Sequence, residues 1–252
     1  MSRTPLKDRV LPNYTRGEDI ANMVTHIIGG AIGIAVLVLA VVVAALHKNV
    51  WGVVGAAIYG ASMVALYTVS SVYHGLKPGM GKKVMQVIDH CTIYFLIAGT
   101  YTPILLAGIR PLHPVLAWVI FGIEWGLVAF AVVFTAIDHN KFKVLAMVCY
   151  IGMGWCIIFA LRATVEAMGI EGFIWLIAGG IAYTVGAVLY GLGKSRPVFH
   201  TVFHVFVDVG SILQAVCILR YVLLKANKMR SLFRERIFSA CQKTTQTALF
   251  LV

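Results

Sequence analysis

Charge is what this chain has least of. Charged residues fill only 12% of its 252 positions, and acids are the scarcer kind, 10 Asp and Glu against 21 Lys and Arg. No stretch is both polar enough and long enough to fold as a separate aqueous domain, which argues against a soluble multi-domain organisation. A disulfide framework is also missing. Cys91, Cys149, Cys156 and Cys217 fall inside apolar segments and Cys241 near the C-terminus. With an odd total and no Cys-x-x-Cys pair, packing or free thiols are expected. The first twenty residues, MSRTPLKDRVLPNYTRGEDI, hold no apolar core followed by a small-residue cleavage site. Insertion is therefore expected to fall to the first membrane helix. Internal repeats and low-complexity tracts are absent too.

What is abundant is apolar surface. A hydrophobic share of 60% and a mean hydropathy of +0.88 describe a chain whose solvent is the bilayer. Apolar runs near the length that crosses about 30 Å of hydrocarbon fall at 22–46, 50–73, 84–108, 112–135, 143–162, 172–192 and 198–222. The runs are continuous and lack two-residue alternation, so helices are expected rather than a β-barrel. The predicted fold is an all-α integral membrane protein, a seven-transmembrane-helix bundle. Residues 1–21 form a polar N-terminal segment, 22–222 the membrane domain and 223–252 a basic tail. Short links such as Lys77-Pro78-Gly79, Arg110-Pro111 and Glu166-Ala167-Met168-Gly169 make consecutive helices antiparallel neighbours. Glycines within the spans, among them Gly29, Gly33, Gly55 and Gly60, suit close helix contact in lipid.

The net charge of +11 does not point to nucleic acid, because the bases sit in connections and in the tail, where an anionic leaflet attracts them. With seven spans, the N-terminus and alternate connections carry Arg3, Lys7, Arg9, Arg16, Lys77, Lys82, Lys83, Lys141, Lys143, Lys194 and Arg196. The opposite loops carry only Lys48, Arg110 and Arg162. The positive-inside rule then puts the N-terminus in the cytoplasm. The basic tail argues the other way.

His200 and His204, four residues apart in an apolar stretch, project from one face of one helix. Even helices end, and odd helices begin, at the same membrane face. His74 at the end of the second span therefore joins Asp89 and His90 at the start of the third, and His200 and His204 at the start of the seventh. His26 and His139 share that side, and only His47 and His113 lie at the far face. Ionisable groups at membrane depth are costly and mark function by default. Three neutral imidazoles, from His74, His200 and His204, can bind Zn2+ and leave a fourth position for water. Asp89, as general base, and Ser70, one turn before His74, could hold that water. His90 and His26 read more simply as interfacial residues, and His139 as a loop residue. Glu18, Asp19 and Asn22 read as capping and first-turn polar groups, and Glu124 as a partner in an interhelical hydrogen bond.

The ordered set Gly17-Glu18-Asp19-Ile20-Ala21-Asn22, Ser70-Ser71-Val72-Tyr73-His74, Asp89-His90-Cys91-Thr92-Ile93-Tyr94, Ala98-Gly99-Thr100-Tyr101-Thr102-Pro103 and His200-x-x-x-His204 resembles the haemolysin III branch of the progestin and adipoQ receptor family. The resemblance runs from about residue 16 to 222. It implies seven helices with a cytoplasmic N-terminus and a zinc ion on His74, His200 and His204 near the cytoplasmic leaflet, with Asp89 and Ser70 on the zinc-bound water. It also implies membrane lipids as substrate or ligand, since animal members are linked to ceramide amide hydrolysis, whereas bacterial members are named for red-cell lysis. Two readings follow: a zinc-dependent lipid amide or ester hydrolase, and a pore-forming cytolysin or lipid-sensing receptor with a structural zinc. The oligomeric state stays open, with room for a homo-oligomer. Asp208 departs from the family pattern and either extends the polar site or pairs with a cation. The tail matches nothing in the family.

Overall fold

The computed structural model describes residues 4–193 and 198–224, so Arg3, Lys194, Arg196 and most of the basic tail lie outside the described residues. Within them the chain is helical: α1 (Arg16–Leu46), α2 (Val50–Gly75), α3 (Met80–Pro103), α4 (Pro114–Asp138), α5 (Lys143–Trp155), α6 (Leu161–Leu192) and α7 (Val198–Cys217). α1 starts six residues before its apolar run, because Thr15 and Glu18 form a capping box. The Glu18 amide donates to Thr15 Oγ1 at 3.2 Å and the Thr15 amide donates to Glu18 Oε2 at 2.8 Å, which satisfies donors that no helical carbonyl reaches. α3 runs on into a π-helical stretch, Ile104–Ile109. Pro103 has no amide hydrogen to give the regular ladder, and a widened turn absorbs the loss.

The helices are built inside out by aqueous standards. The buried stripe of α1 is Asn22, His26, Gly29, Gly33, Val36, Ala40 and Ala44, mostly small or polar residues at steps of three or four. Ile27, Ile28, Ile34, Val38 and Leu39 are exposed. Such an apolar outer face is stable only in hydrocarbon. The small residues set how near the helices come. A Cβ on Gly60 would stand 2.5 Å from the Cβ of Leu37, so α1 and α2 touch nearly backbone to backbone. α1 packs on both α2 and α7, and α2 on α3, with α6 against α7; α4 and α5 complete the arrangement beside α3.

Six helical runs among the described residues are long and apolar enough to cross a membrane, against the seven expected. The difference lies at Lys143–Leu192, a single run of 50 residues. It is not straight. Gly169 has φ 77° and ψ 167°, a conformation open to glycine alone. The Trp155 Nε1 donates to Thr184 Oγ1 at 3.0 Å across the two sides of that glycine. In an unbroken helix those residues would stand about 44 Å apart. The chain therefore doubles back at Gly169, and helix continues almost up to the turn where the sequence suggested a loop.

Gly169→Ala is expected to cost about 1–3 kcal/mol through backbone strain. Gly152→Ala, at a helical position where a Cβ meets nothing within 4 Å, should be neutral or stabilising by up to about 1 kcal/mol. Thermal unfolding in detergent measures both, and equal effects would remove the special role of Gly169.

Candidate metal centre

Antiparallel helices bring distant polar residues to one end of the bundle. The last turns of α2 carry Ser70 and His74, the first half of α3 carries Asp89 and His90, and the first turns of α7 carry His200 and His204. His74, His200 and His204 are buried, and one ring nitrogen from each lies within 4.8 Å of the others. The Nε2 atoms of His200 and His204 are 3.0 Å apart, close to the roughly 3.3 Å that separates two nitrogens on a tetrahedral zinc with bonds near 2.0 Å.

The donors fit a metal on their own chemistry. His74 Nδ1 meets Asp19 Oδ1 at 2.9 Å, while its Nε2 is buried without a hydrogen-bond partner. In an apolar interior an orphaned lone pair is costly, and a cation shared with the two neighbouring imidazoles would satisfy it. Asp19 Oδ2 also accepts from Lys82 Nζ at 2.6 Å, so one carboxylate links α1, α2 and α3. This carboxylate–imidazole pair is the usual support behind a metal-binding histidine.

Ser70 is 1% exposed and stands beside the Asp89 carboxylate. Both line a cavity of about 170 Å3 that reaches His200 and His204 at one end and runs inward past Leu66, Ile93, Met147 and Trp155. A smaller space of about 30 Å3 shares Thr100, Tyr101, Trp155 and Gln214 with it and continues to Leu176 and Ile177. The walls are therefore polar at the histidine end and mostly apolar beyond it, with Thr100, Thr184 and Gln214 as scattered polar groups. The N-terminal segment borders the mouth. Thr4 N donates to Asp138 Oδ2 at 2.9 Å and Arg9 Nη2 to the Ile137 carbonyl at 2.7 Å. From there the chain reaches Pro12 and Tyr14 on the cavity wall. Tyr14 stacks on His200 with ring centroids 4.9 Å apart, and burial, then Tyr190 and nearby carboxylates, hold its phenol above the ordinary range.

Three residues of this site were not assigned to it from sequence. Asp19 acts as more than a first-turn acid. His26, expected at the interface, is 3% exposed with Nε2 2.6 Å from His204 Nδ1. Tyr14 drew no notice. The signal for two of them lay in the three-and-four spacing of Asp19, Asn22, His26, Gly29 and Gly33, one stripe that continues the small-residue face of α1. His139 is likewise buried rather than a free loop residue. Its ring lies 3.8 Å from that of His90, and burial, then His90, pushes its protonation down to about 3. His90 itself contacts the Gln86 carbonyl and the Tyr190 hydroxyl.

Asp208 faces Tyr67 and Tyr183, and among the described residues no ion pair to it is found. Beside it, Ser211 Oγ takes the Tyr67 hydroxyl at 2.6 Å and stands 2.7 Å from that of Tyr183. Glu124 is fully buried and apart from the histidines, with Tyr101 and Cys156 against it. His113 pairs with Glu166 at the opposite end, Nε2 to Oε2 2.7 Å.

An apolar-coated helical bundle with a three-histidine centre at one end defines a multi-pass integral membrane protein able to hold a metal ion. Residues 14–215 match the family profile described as haemolysin-III related, and the chain belongs to that family. It is 39% identical to Hemolysin-3 of Bacillus cereus over 83% of its length and 94% of the relative's. Identity to the Hemolysin-3 homolog of Bacillus subtilis (strain 168) is 37%, over 82% of this chain and 96% of the other. A more distant relative is the monocyte to macrophage differentiation factor of Homo sapiens, 29% identical over 87% and 90%.

Ser211→Ala should destabilise the protein by about 1–3 kcal/mol, since it strands buried phenols. An unfolding midpoint equal to that of the unmodified chain would show that the hydroxyl carries no net weight.

Proposed function

We propose that this protein is a zinc-dependent hydrolase of an amide or ester bond in a membrane lipid. The observation that carries the reading is the continuity of the His74–His200–His204 cluster with an apolar cavity. A hydrocarbon chain can lie in that cavity while its polar linkage rests at the histidines. When bound, zinc supplies a Lewis acid and lowers the pKa of a coordinated water to about 7. The three neutral imidazoles of His74, His200 and His204 would hold the ion. Asp89 would take the proton from the attacking water, with Ser70 beside its carboxylate to orient it. The apolar wall from Leu66 to Trp155 excludes bulk water and holds the acyl portion. That wall also speaks against an aqueous pore, which needs a polar lining from face to face.

The same reading completes the topology. A run of 50 residues measures about 75 Å as helix, over twice the hydrocarbon thickness. Folded at Gly169, Lys143–Leu192 crosses twice and gives seven crossings. The basic bias of the histidine side then puts the N-terminus and the centre toward the cytoplasm.

Metal analysis of protein purified without chelators should find about one zinc per chain. Asp89→Ala should keep the zinc yet slow turnover of a responsive lipid, found by screening ceramides and phospholipids, by about 100- to 10,000-fold. Metal-free protein, or an Asp89→Ala variant with full turnover, would overturn the proposal. Lysis of red cells that persists in Asp89→Ala and is blocked by large osmolytes would favour a membrane-perturbing role.

A further inference from the structure

We infer that the start of α1 and the residues just before it, which supply no ligand, are the outer shell of the centre, with Tyr14, Asp19 and His26 each fixing one of the three imidazoles. The inference rests on the zinc reading above and concerns only this chain's own residues. To bind a metal, an imidazole must present one bare ring nitrogen at a fixed angle and carry its hydrogen on the other. Each of the three rings meets a different constraint.

His74 is held by Asp19. Its Nδ1 donates to Oδ1, which leaves Nε2 bare and buried. Lys82 pins the far oxygen of that carboxylate, so the acceptor cannot swing away. His204 is held by His26. The 2.6 Å contact between His204 Nδ1 and His26 Nε2 requires a hydrogen between them. If His204 supplies it, His204 Nε2 is free for the centre, where it already lies beside His200 Nε2. His26 then accepts through Nε2 and keeps its own hydrogen on Nδ1, a buried atom with no partner. Its ring stands edge-on to Tyr67 with centroids 5.1 Å apart, in a packed site that restrains it from turning. His26 lies behind His204 and is not among the grouped ligand nitrogens, so it positions a ligand and is not one. His200 is held by stacking, with the Tyr14 ring inclined only 21° to it and the rings of Tyr190 and Phe203 also against it.

The three constraints come from a stretch of thirteen residues, 14–26, that leads into the first turns of one helix. Ligands on α2 and α7 are thus set by a helix that touches both.

The test uses the full chain in detergent and reads zinc affinity by chelator competition, together with the visible absorption of bound Co2+, which reports ligand geometry. His26→Leu should weaken zinc binding by about 10- to 100-fold and shift the Co2+ bands. His26→Gln, whose amide oxygen can accept the same hydrogen, should recover most of the affinity. Asp19→Ala should weaken binding over the same range, and Tyr14→Ala by a smaller factor. Unchanged affinity and spectrum in His26→Leu would overturn the inference, as would a Gln variant no better than Leu. Should His26→Leu fail to fold, Tyr14→Ala and Asp19→Ala, at half-buried positions, decide: zinc affinity unchanged in both refutes the outer shell. A wild-type chain that binds no zinc at all sinks the zinc reading and this inference together, whereas normal wild-type affinity with indifferent variants sinks this inference alone.

Discussion

The Asp19 carboxylate is the contact on which the rest of this end of the molecule depends. One oxygen takes His74 and the other Lys82, so a single side chain on α1 ties α2 to α3 where both would otherwise leave polar groups stranded. In hydrocarbon each stranded group costs several kcal/mol, and the arrangement removes three at once. The direction of His74 follows from it, and with it the point toward which His200 and His204 turn. A bundle held only by small-residue contacts could slide by a fraction of a turn. The carboxylate removes that freedom and fixes the register in which the histidines meet.

Much of the fold was legible because lipid punishes exceptions. Continuous apolar runs gave the helices to within a few residues at most ends. The rule that alternate connections share a face brought His74, Asp89 and His200 together before any coordinate was known. The sequence misled where helix geometry outran hydropathy. At Gly169 the helix persists almost to the turn, so one glycine does the work expected of a loop, and Thr15 with Glu18 starts α1 ahead of its apolar stretch. The supporting residues were harder to see. Asp19 and His26 each admit an ordinary surface explanation when taken singly, and only their common spacing with Gly29 and Gly33 shows that they face inward. Tyr14 lies outside any helix, so periodicity says nothing of it.

The interior divides into two regimes. Near the histidines, tyrosine hydroxyls, Ser70 and Asp89 supply polar contacts; beyond Leu66 and Ile93 the cavity is mostly aliphatic and aromatic, with Thr100, Thr184 and Gln214 set among its walls. This gradient matches an amphiphile, with a polar linkage at one end and a chain at the other, better than it matches an ion or a free sugar.

The pairing of His26 with His204 spans 178 residues of sequence. At about 5–20 residues per second of synthesis, about 9 to 36 seconds pass between the emergence of the two rings from the ribosome. Throughout that interval α1 sits in the bilayer with Asn22 and His26 on its inner face and no α7 to receive them. The first helix is thus the least finished part of the nascent protein for the longest time. Whatever shelters those polar groups until the last helix arrives, be it neighbouring α2, lipid headgroups or the insertion machinery, is a requirement written into the order of the chain.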